Sequence, residues 1–321
     1  MKRFTKAAFA IVLVLVILGS ALCAIGVGIG FSVSEFGEYV EAGEFSFGPI
    51  SHIPFIQHGN DGSGWESDGF GWTSADSEEN SFPWEGLDEI ELKVDNSSII
   101  ITQNSREDRE NIRVDVEYRR KNHKRRVDVH VDGSTLKIED SGVWRIQNDD
   151  SVRVTMRLPA ELIERNWLKK IKLDQPRGTT NVQIPLTAKE ISINVGAGEC
   201  EILERLSAEK KISLEVGAGS LAVEELEAEK VDINGGVGEL TAAFVQAEKI
   251  EMEGGIGAIQ IKAAGVETDY SYDIDCGVGS VTIGNHSYTG LSAGGEIKNQ
   301  GSKEMEIDCG VGNVEVSFEG Q

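Results

Sequence analysis

Apolar and polar residues alternate along most of the chain beyond residue 87, and in its second half the alternation repeats one phrase. Ile191, Ile193 and Val195 run into Gly196-Ala197-Gly198, and Ile212, Leu214 and Val216 run into Gly217-Ala218-Gly219. Val231 and Ile233 precede Gly235-Gly236-Val237-Gly238, and Ile250 and Met252 precede Gly254-Gly255-Ile256-Gly257. Two later copies set Ile274 and Cys276 before Gly277-Val278-Gly279, and Ile307 and Cys309 before Gly310-Val311-Gly312. The period of two inside each copy predicts strands, and self-similarity near twenty residues predicts the coils of a solenoid.

A second alternating set follows each Gly-x-Gly: Cys200 and Ile202, Leu221 and Val223, Leu240 and Ala242, Ile259 and Ile261, Val281 and Ile283. The inward parity changes across the glycines, as a tight bend requires. They are expected at a corner because glycine reaches positive φ without steric cost. Gly196, Gly217, Gly236, Gly255, Gly277 and Gly310 should then stand in one row along the solenoid. A third, looser segment through Leu206 and Ala208, Leu226 and Ala228, and Val245 and Ala247 closes each coil, which gives three short sides. Stacked coils would pair in parallel, and parallel crossovers are overwhelmingly right-handed. A left-handed hexapeptide helix needs a strict six-residue period that is absent here. The expected fold class is all-β, a single-stranded right-handed parallel β-helix whose coils are stable only when stacked.

Less regular alternation occupies residues 87–186, through Ile90, Leu92 and Val94, then Ile112, Val114 and Val116, then Val127, Val129 and Val131, then Leu136 and Ile138. Val152, Val154, Met156 and Leu158 form another strand that Pro159 stops, and one helical turn is expected after it. No linker separates these parts from the regular coils of residues 187–321, so residues 87–321 read as one folded unit, with an insertion at 285–303 that loops out.

The N-terminus has a different pattern. Residues 7–31 carry no charge and are long enough to span a bilayer, so residues 1–31 are expected to be a basic cytoplasmic end and a transmembrane helix. Lys2, Arg3 and Lys6 precede the apolar run and the next Lys or Arg is Lys93, which places the N-terminus in the cytoplasm and the remainder outside the cell membrane. Cleavage near Ala21-Leu22-Cys23 is the rival reading. A lipoprotein role for Cys23 is weakened by Leu22, where a small residue is expected. Residues 32–86 are rich in Gly, Ser and acids and read as a disordered spacer, although Phe45, Trp65, Trp72 and Trp84 could instead dock on a partner or on lipid headgroups.

Charge narrows the partners. With 54 acidic against 31 basic residues the formal net charge is −23, which argues against nucleic acid or an anionic membrane surface as the main partner. Four cysteines match no zinc pattern, and no cofactor or metal is called for. The calcium-binding phrase G-G-x-G-x-D is broken by Leu240 and Ile259, and no phosphate-binding loop appears.

One dense basic run, Arg119, Arg120, Lys121, Lys124, Arg125 and Arg126, could hold an anionic envelope polymer or headgroup; alternatively it forms a solvated hairpin tip or guards a sheet edge. Glu201, Glu215, Glu224, Asp232, Glu251, Glu253, Asp273 and Asp275 face outward on successive coils. An acid pair there could do general acid–base work, but carboxylates spread over every coil are the habit of a solvated face, and no catalytic residue is assigned. Cys276 and Cys309 share one phase of successive copies, close enough for a disulfide or for a ladder of reduced, buried thiols. Asn96 and Asn285 each open an N-glycosylation triplet, meaningful only in a secretory eukaryotic setting.

The anchor, the opening Asp88-Glu89-Ile90-Glu91-Leu92-Lys93-Val94, the strand of residues 152–159 and the Gly-x-Gly coils together resemble bacterial adhesin-like proteins of the DUF4097 family, close to the head-GIN type of β-helix. That resemblance covers about residues 87–321 and implies a right-handed β-helix with an envelope-associated role, linked in some members to envelope stress. It supplies no catalytic residues. The leading expectation is a non-enzymatic, membrane-anchored, extracytoplasmic module that binds or senses an envelope component or partner through a flat face. A polysaccharide-active enzyme and a self-associating structural scaffold are the alternatives.

Overall fold

The computed structural model describes residues 77–105, 108–118, 125–141, 151–164 and 168–320. The expected membrane helix and most of the expected spacer lie outside these residues. Among the described residues no helix is long and apolar enough to cross a membrane.

The chain forms one continuous fourteen-stranded sheet. Its regular part consists of β8 (Leu168–Val182), β9 (Leu186–Val216), β10 (Ser220–Gly235), β11 (Glu239–Ala263), β12 (Tyr270–Ile283) and β14 (Lys303–Phe318). Each pairs in parallel with its neighbours, in the order β8-β9-β10-β11-β14-β12. Register follows the repeat: Leu221 sits between Cys200 and Leu240, and Val231 between Ile212 and Ile250. The third side is as ladder-paired as the other two, with Leu226 to Ala228 facing Val245 to Ala247.

Alternation puts one aliphatic side chain per coil at each inward position, and the stacked set makes the core. Ile191, Ile193, Ile212, Leu214, Val231, Ile233, Ile250, Met252 and Ile307 are all buried. At the far end this core is closed by aromatics: Tyr270 packs against Tyr272 and Phe318, and its hydroxyl donates to the Ala264 carbonyl at 2.9 Å. Aromatic bulk suits a terminal coil, where no further coil covers the core.

The first coils are made from shorter strands. β2 (Glu89–Lys93) and β3 (Ser97–Gln103) pair in parallel with β8 on one side. On the other side they meet β6 (Thr135–Ser141) and β7 (Val152–Leu158). β4 (Asn111–Tyr118) and β5 (Arg126–Asp132) then pair antiparallel with β7 and β6, so the parallel stack ends in antiparallel caps. The helical turn expected after Pro159 is α1, Ala160–Glu164, which buries Leu162.

Four expectations need correction. Within the stretch read as spacer lies a strand, β1 (Ser77–Pro83), antiparallel to β4. The reason is Trp84, which is buried and donates its indole N–H to the Arg109 carbonyl at 3.0 Å. Next, the insertion at 285–303 does not loop out: it supplies β13 (His286–Ile297), an antiparallel strand on β12 that caps the stack. Third, the last two copies are stacked out of chain order, with β14 between β11 and β12.

The fourth concerns the corner glycines. None of Gly196, Gly217, Gly236, Gly255, Gly277 and Gly310 has positive φ. They do form the expected row, for a different reason. A Cβ on Gly217 would meet the Gly196 carbonyl oxygen at 2.7 Å, one on Gly236 that of Gly217 at 2.6 Å, and one on Gly255 that of Gly236 at 2.6 Å. The row continues through Gly310 to Gly277. Close approach of successive backbones, rather than backbone conformation, excludes a side chain at these corners.

Candidate functional site

The stacked sides leave an outer face whose polar residues stand in straight columns, because parallel pairing in register repeats each outward position from coil to coil. The column farthest from the corner holds Lys211, Lys230 and Lys249. Beside it run Asp232, Glu251, Glu306 and Asp273. The two columns mesh: Lys230 lies 3.1 Å from Asp232 and 2.7 Å from Glu251, and Lys249 lies 2.7 Å from Glu251 and 3.6 Å from Glu306. Hydrogen bonds from Lys230 and then Lys249 hold the Glu251 carboxyl below the usual carboxylate range.

A third column, next to the corner, contains Glu215, Asn234, Glu253, Asp308 and Asp275. Among the described residues Glu253, Asp308 and Asp275 form no salt bridge. Partial burial, and then the charges of Asp275, Glu306, Glu253 and Asp273, push the Asp308 carboxyl above its ordinary range. Across the glycine row stands a line of exposed aliphatic side chains, the middle residues of Gly-x-Gly. Val237, Ile256, Val311 and Val278 are 57%, 52%, 51% and 53% exposed. Ile256 pairs with Val311, and the amides of Val237 and Ile256 donate to Gly217 and Gly236 at 2.6 Å, so this row is locked to the ladder. An unmatched acid column thus runs beside an aliphatic ridge.

The carboxylates singled out in the sequence fall where the alternation put them. Glu201, Glu215, Glu224, Glu253, Asp273 and Asp275 are exposed, while Asp232 and Glu251 are partly covered by the lysine column. Among the described residues no group of His, Cys, Asp and Glu has the geometry of a metal site. The aliphatic ridge was not anticipated. Its signal was the change of the middle residue from Ala197 and Ala218 to the branched Val237, Ile256, Val278 and Val311.

Of the basic run, Arg119, Arg120, Lys121 and Lys124 lie outside the described residues, and Arg126 is exposed. Arg125 turns inward and is buried. Its guanidinium makes a two-pronged contact with Asp140 at 2.7 and 3.0 Å, and donates to the Asn96 carbonyl at 3.2 Å and to that of Asp95. Asp95 is in turn clamped by Arg177 at 2.7 and 3.0 Å, which holds its carboxyl below the usual range. This network pins the turn where Asn96 adopts a left-handed conformation, φ 43°. Arg125 is therefore committed to the interior and is withdrawn from any anion-binding surface.

Cys276 and Cys309 are register partners on β12 and β14, and both are buried free thiols, as is Cys200 on β9. Burial pushes the Cys309 thiol up to about 11 and that of Cys200 up to about 12, which suppresses their thiolates.

Solved structures similar to the chain include the following three. One is a candidate adhesin from Parabacteroides distasonis, 18% identical, covering 75% of this chain and 97% of that one with a TM-score of 0.41. Another is a candidate adhesin from Bacteroides fragilis, 14% identical, covering 76% and 98% with a TM-score of 0.41. The third is described as a candidate lipid-binding protein, also from Parabacteroides distasonis, 14% identical, covering 75% and 97% with a TM-score of 0.38. Likeness at this level carries no argument about function. No curated protein matches the chain. The Toastrack DUF4097 family model matches residues 87–320, the whole of the regular array and its N-terminal coils, and the chain belongs to that family.

Proposed function

We propose that the protein is a non-enzymatic, adhesin-like module of the cell surface that binds or senses an envelope component through its flat outer face. In this reading the coils form a right-handed β-helix, held outside the membrane by a helix within residues 1–31 and carried on an acidic spacer. Membership of the DUF4097 family supports it.

The observation that carries the reading is the periodicity of the face. Unpaired acids recur on three successive coils, at Glu253, Asp308 and Asp275, and aliphatic side chains on four, at the ~4.8 Å spacing of paired strands. Such a surface matches a ligand that repeats, such as an envelope polymer or an extended protein segment carrying cationic and apolar groups. Because the coils are joined by continuous ladders, the face is presented without ordering cost, which favours binding by many weak contacts.

Retention of the full chain, kept in mild detergent, on isolated envelope fractions tests this. Binding that falls in a Glu253→Gln, Asp308→Asn, Asp275→Asn triple variant supports the acid column as the contact. Failure of every fraction to retain the protein at low and physiological salt would overturn the reading.

A further inference from the structure

Three strands among the described residues have an open edge: β1, β5 and β13. An open edge offers unpaired amides and carbonyls to any passing strand, and proteins guard such edges with charge, proline or brevity. β1 carries Glu78 and Glu79 and ends at Pro83, and β5 carries Arg126, Asp128 and Asp132 in seven residues. β13 has none of these guards. It is twelve residues long, His-Ser-Tyr-Thr-Gly-Leu-Ser-Ala-Gly-Gly-Glu-Ile, without proline, and its one formal charge is Glu296, near the end. Its only strand partner among the described residues is β12. His286, Ser287, Thr289, Gly294, Gly295 and Glu296 are exposed, and a Cβ built on Gly295 would meet nothing within 4 Å.

We infer that β13 is a docking edge for a second copy of this chain, pairing antiparallel with its own equivalent about a two-fold axis. Charge selects this occupant. In a chain of net charge −23, self-pairing through β1 would set Glu78 and Glu79 against the same acids of the other copy. A two-fold antiparallel pair must set one residue against its own equivalent; centred on Leu291, it places each Glu296 opposite His286, so no like charges meet across the seam. The junction is isologous, so it closes at two copies and extends the ladder without interruption from one solenoid into the other. This inference is independent of the binding role proposed above.

Hydrogen–deuterium exchange and sedimentation of the purified full chain in detergent micelles test it. The expected result is a monomer–dimer equilibrium in which the amides of residues 286–297 exchange more slowly as concentration rises. His286→Glu would set a new carboxylate directly opposite Glu296 of the second copy, twice per dimer, and should weaken association by about tenfold. His286→Gln should leave association unchanged. Exchange in β13 that is independent of concentration overturns the inference. So does a dimer that persists in His286→Glu with an unchanged melting profile, since association would then arise elsewhere in the chain.

Discussion

Two glycines one coil apart should respond to the same substitution with opposite signs. A Cβ on Gly257 would sit 2.0 Å from the Gly238 carbonyl oxygen and 3.0 Å from its amide nitrogen, both backbone atoms in a continuous ladder. Ordinary contact begins above about 3 Å, so β11 must lift from β10 at the corner. The lift strains the bond from the Ala258 amide to that same carbonyl, now 3.0 Å, and the 2.6 Å bond from Ile256 to Gly236. Overpacking costs about 1–3 kcal/mol and each weakened hydrogen bond about 1 kcal/mol, part of which water recovers at an exposed corner. Gly257→Ala should therefore lose about 2–4 kcal/mol.

At Gly235, by contrast, a Cβ would make only ordinary contacts, with the side chain of Ile259 at 3.5 Å and the Glu253 carbonyl oxygen at 3.9 Å, and its register partner one coil earlier is already Val216. Gly235→Ala removes freedom from the unfolded chain without a clash and should gain about 0.4–1 kcal/mol. Urea denaturation of both variants, with exchange at residues 255–258 as a local readout, separates the two. If Gly257→Ala unfolds with the parent while Gly235→Ala falls below it, close approach is not what selects these glycines.

Two further substitutions probe the charge network. Arg125→Ala leaves Asp140 and the carbonyls of Asp95 and Asn96 without their shared donor, and should cost about 3–5 kcal/mol of unfolding free energy in urea denaturation. Arg125→Lys should recover only part of that, because an ammonium cannot reproduce the two-pronged contact. Asp308 works in the opposite sense, since its folded-state pKa is raised by burial and by its acidic neighbours. Its favourable contribution is complete below the unfolded value near ~4 and is lost as pH rises through the higher folded value. Asp308→Asn should thus be more stable than the parent at neutral pH, by less than about 1 kcal/mol at this exposed position, and equal to it in acid. A melting series across pH reads this directly, and a gain that persists below pH ~3 would contradict it.

The coils were legible because their cause is local. Ile191, Ile193 and Val195 alternate in the chain for the same reason that they are buried in the stack. What escaped notice depends on contacts between distant segments. Trp84 looked like one more aromatic of an acidic stretch, and only the carbonyl of Arg109 shows why it is held. Arg125 belonged by composition to a solvated basic run, yet Asp140, fifteen residues on, draws it inward. The glycine row was expected in the right place but for the wrong reason, since the distance between stacked backbones is not written in any single copy. In the same way, the ridge of Val237, Ile256, Val311 and Val278 becomes a surface only when the copies are stacked.

The interposition of β14 between β11 and β12 bears on how the molecule is made. A chain emerging from the ribosome or a translocon presents β12 to the finished edge of β11 before β14 exists. The two latecomers carry nearly the same words, Ile274-Asp275-Cys276-Gly277-Val278-Gly279 and Ile307-Asp308-Cys309-Gly310-Val311-Gly312, so β12 can occupy the berth that belongs to β14. Where it does so, the β12–β13 hairpin must vacate β11 to admit the newly completed C-terminal strand. Vectorial growth cannot finish this solenoid coil by coil, and a chain truncated before residue 303 would lack an internal rung rather than its end.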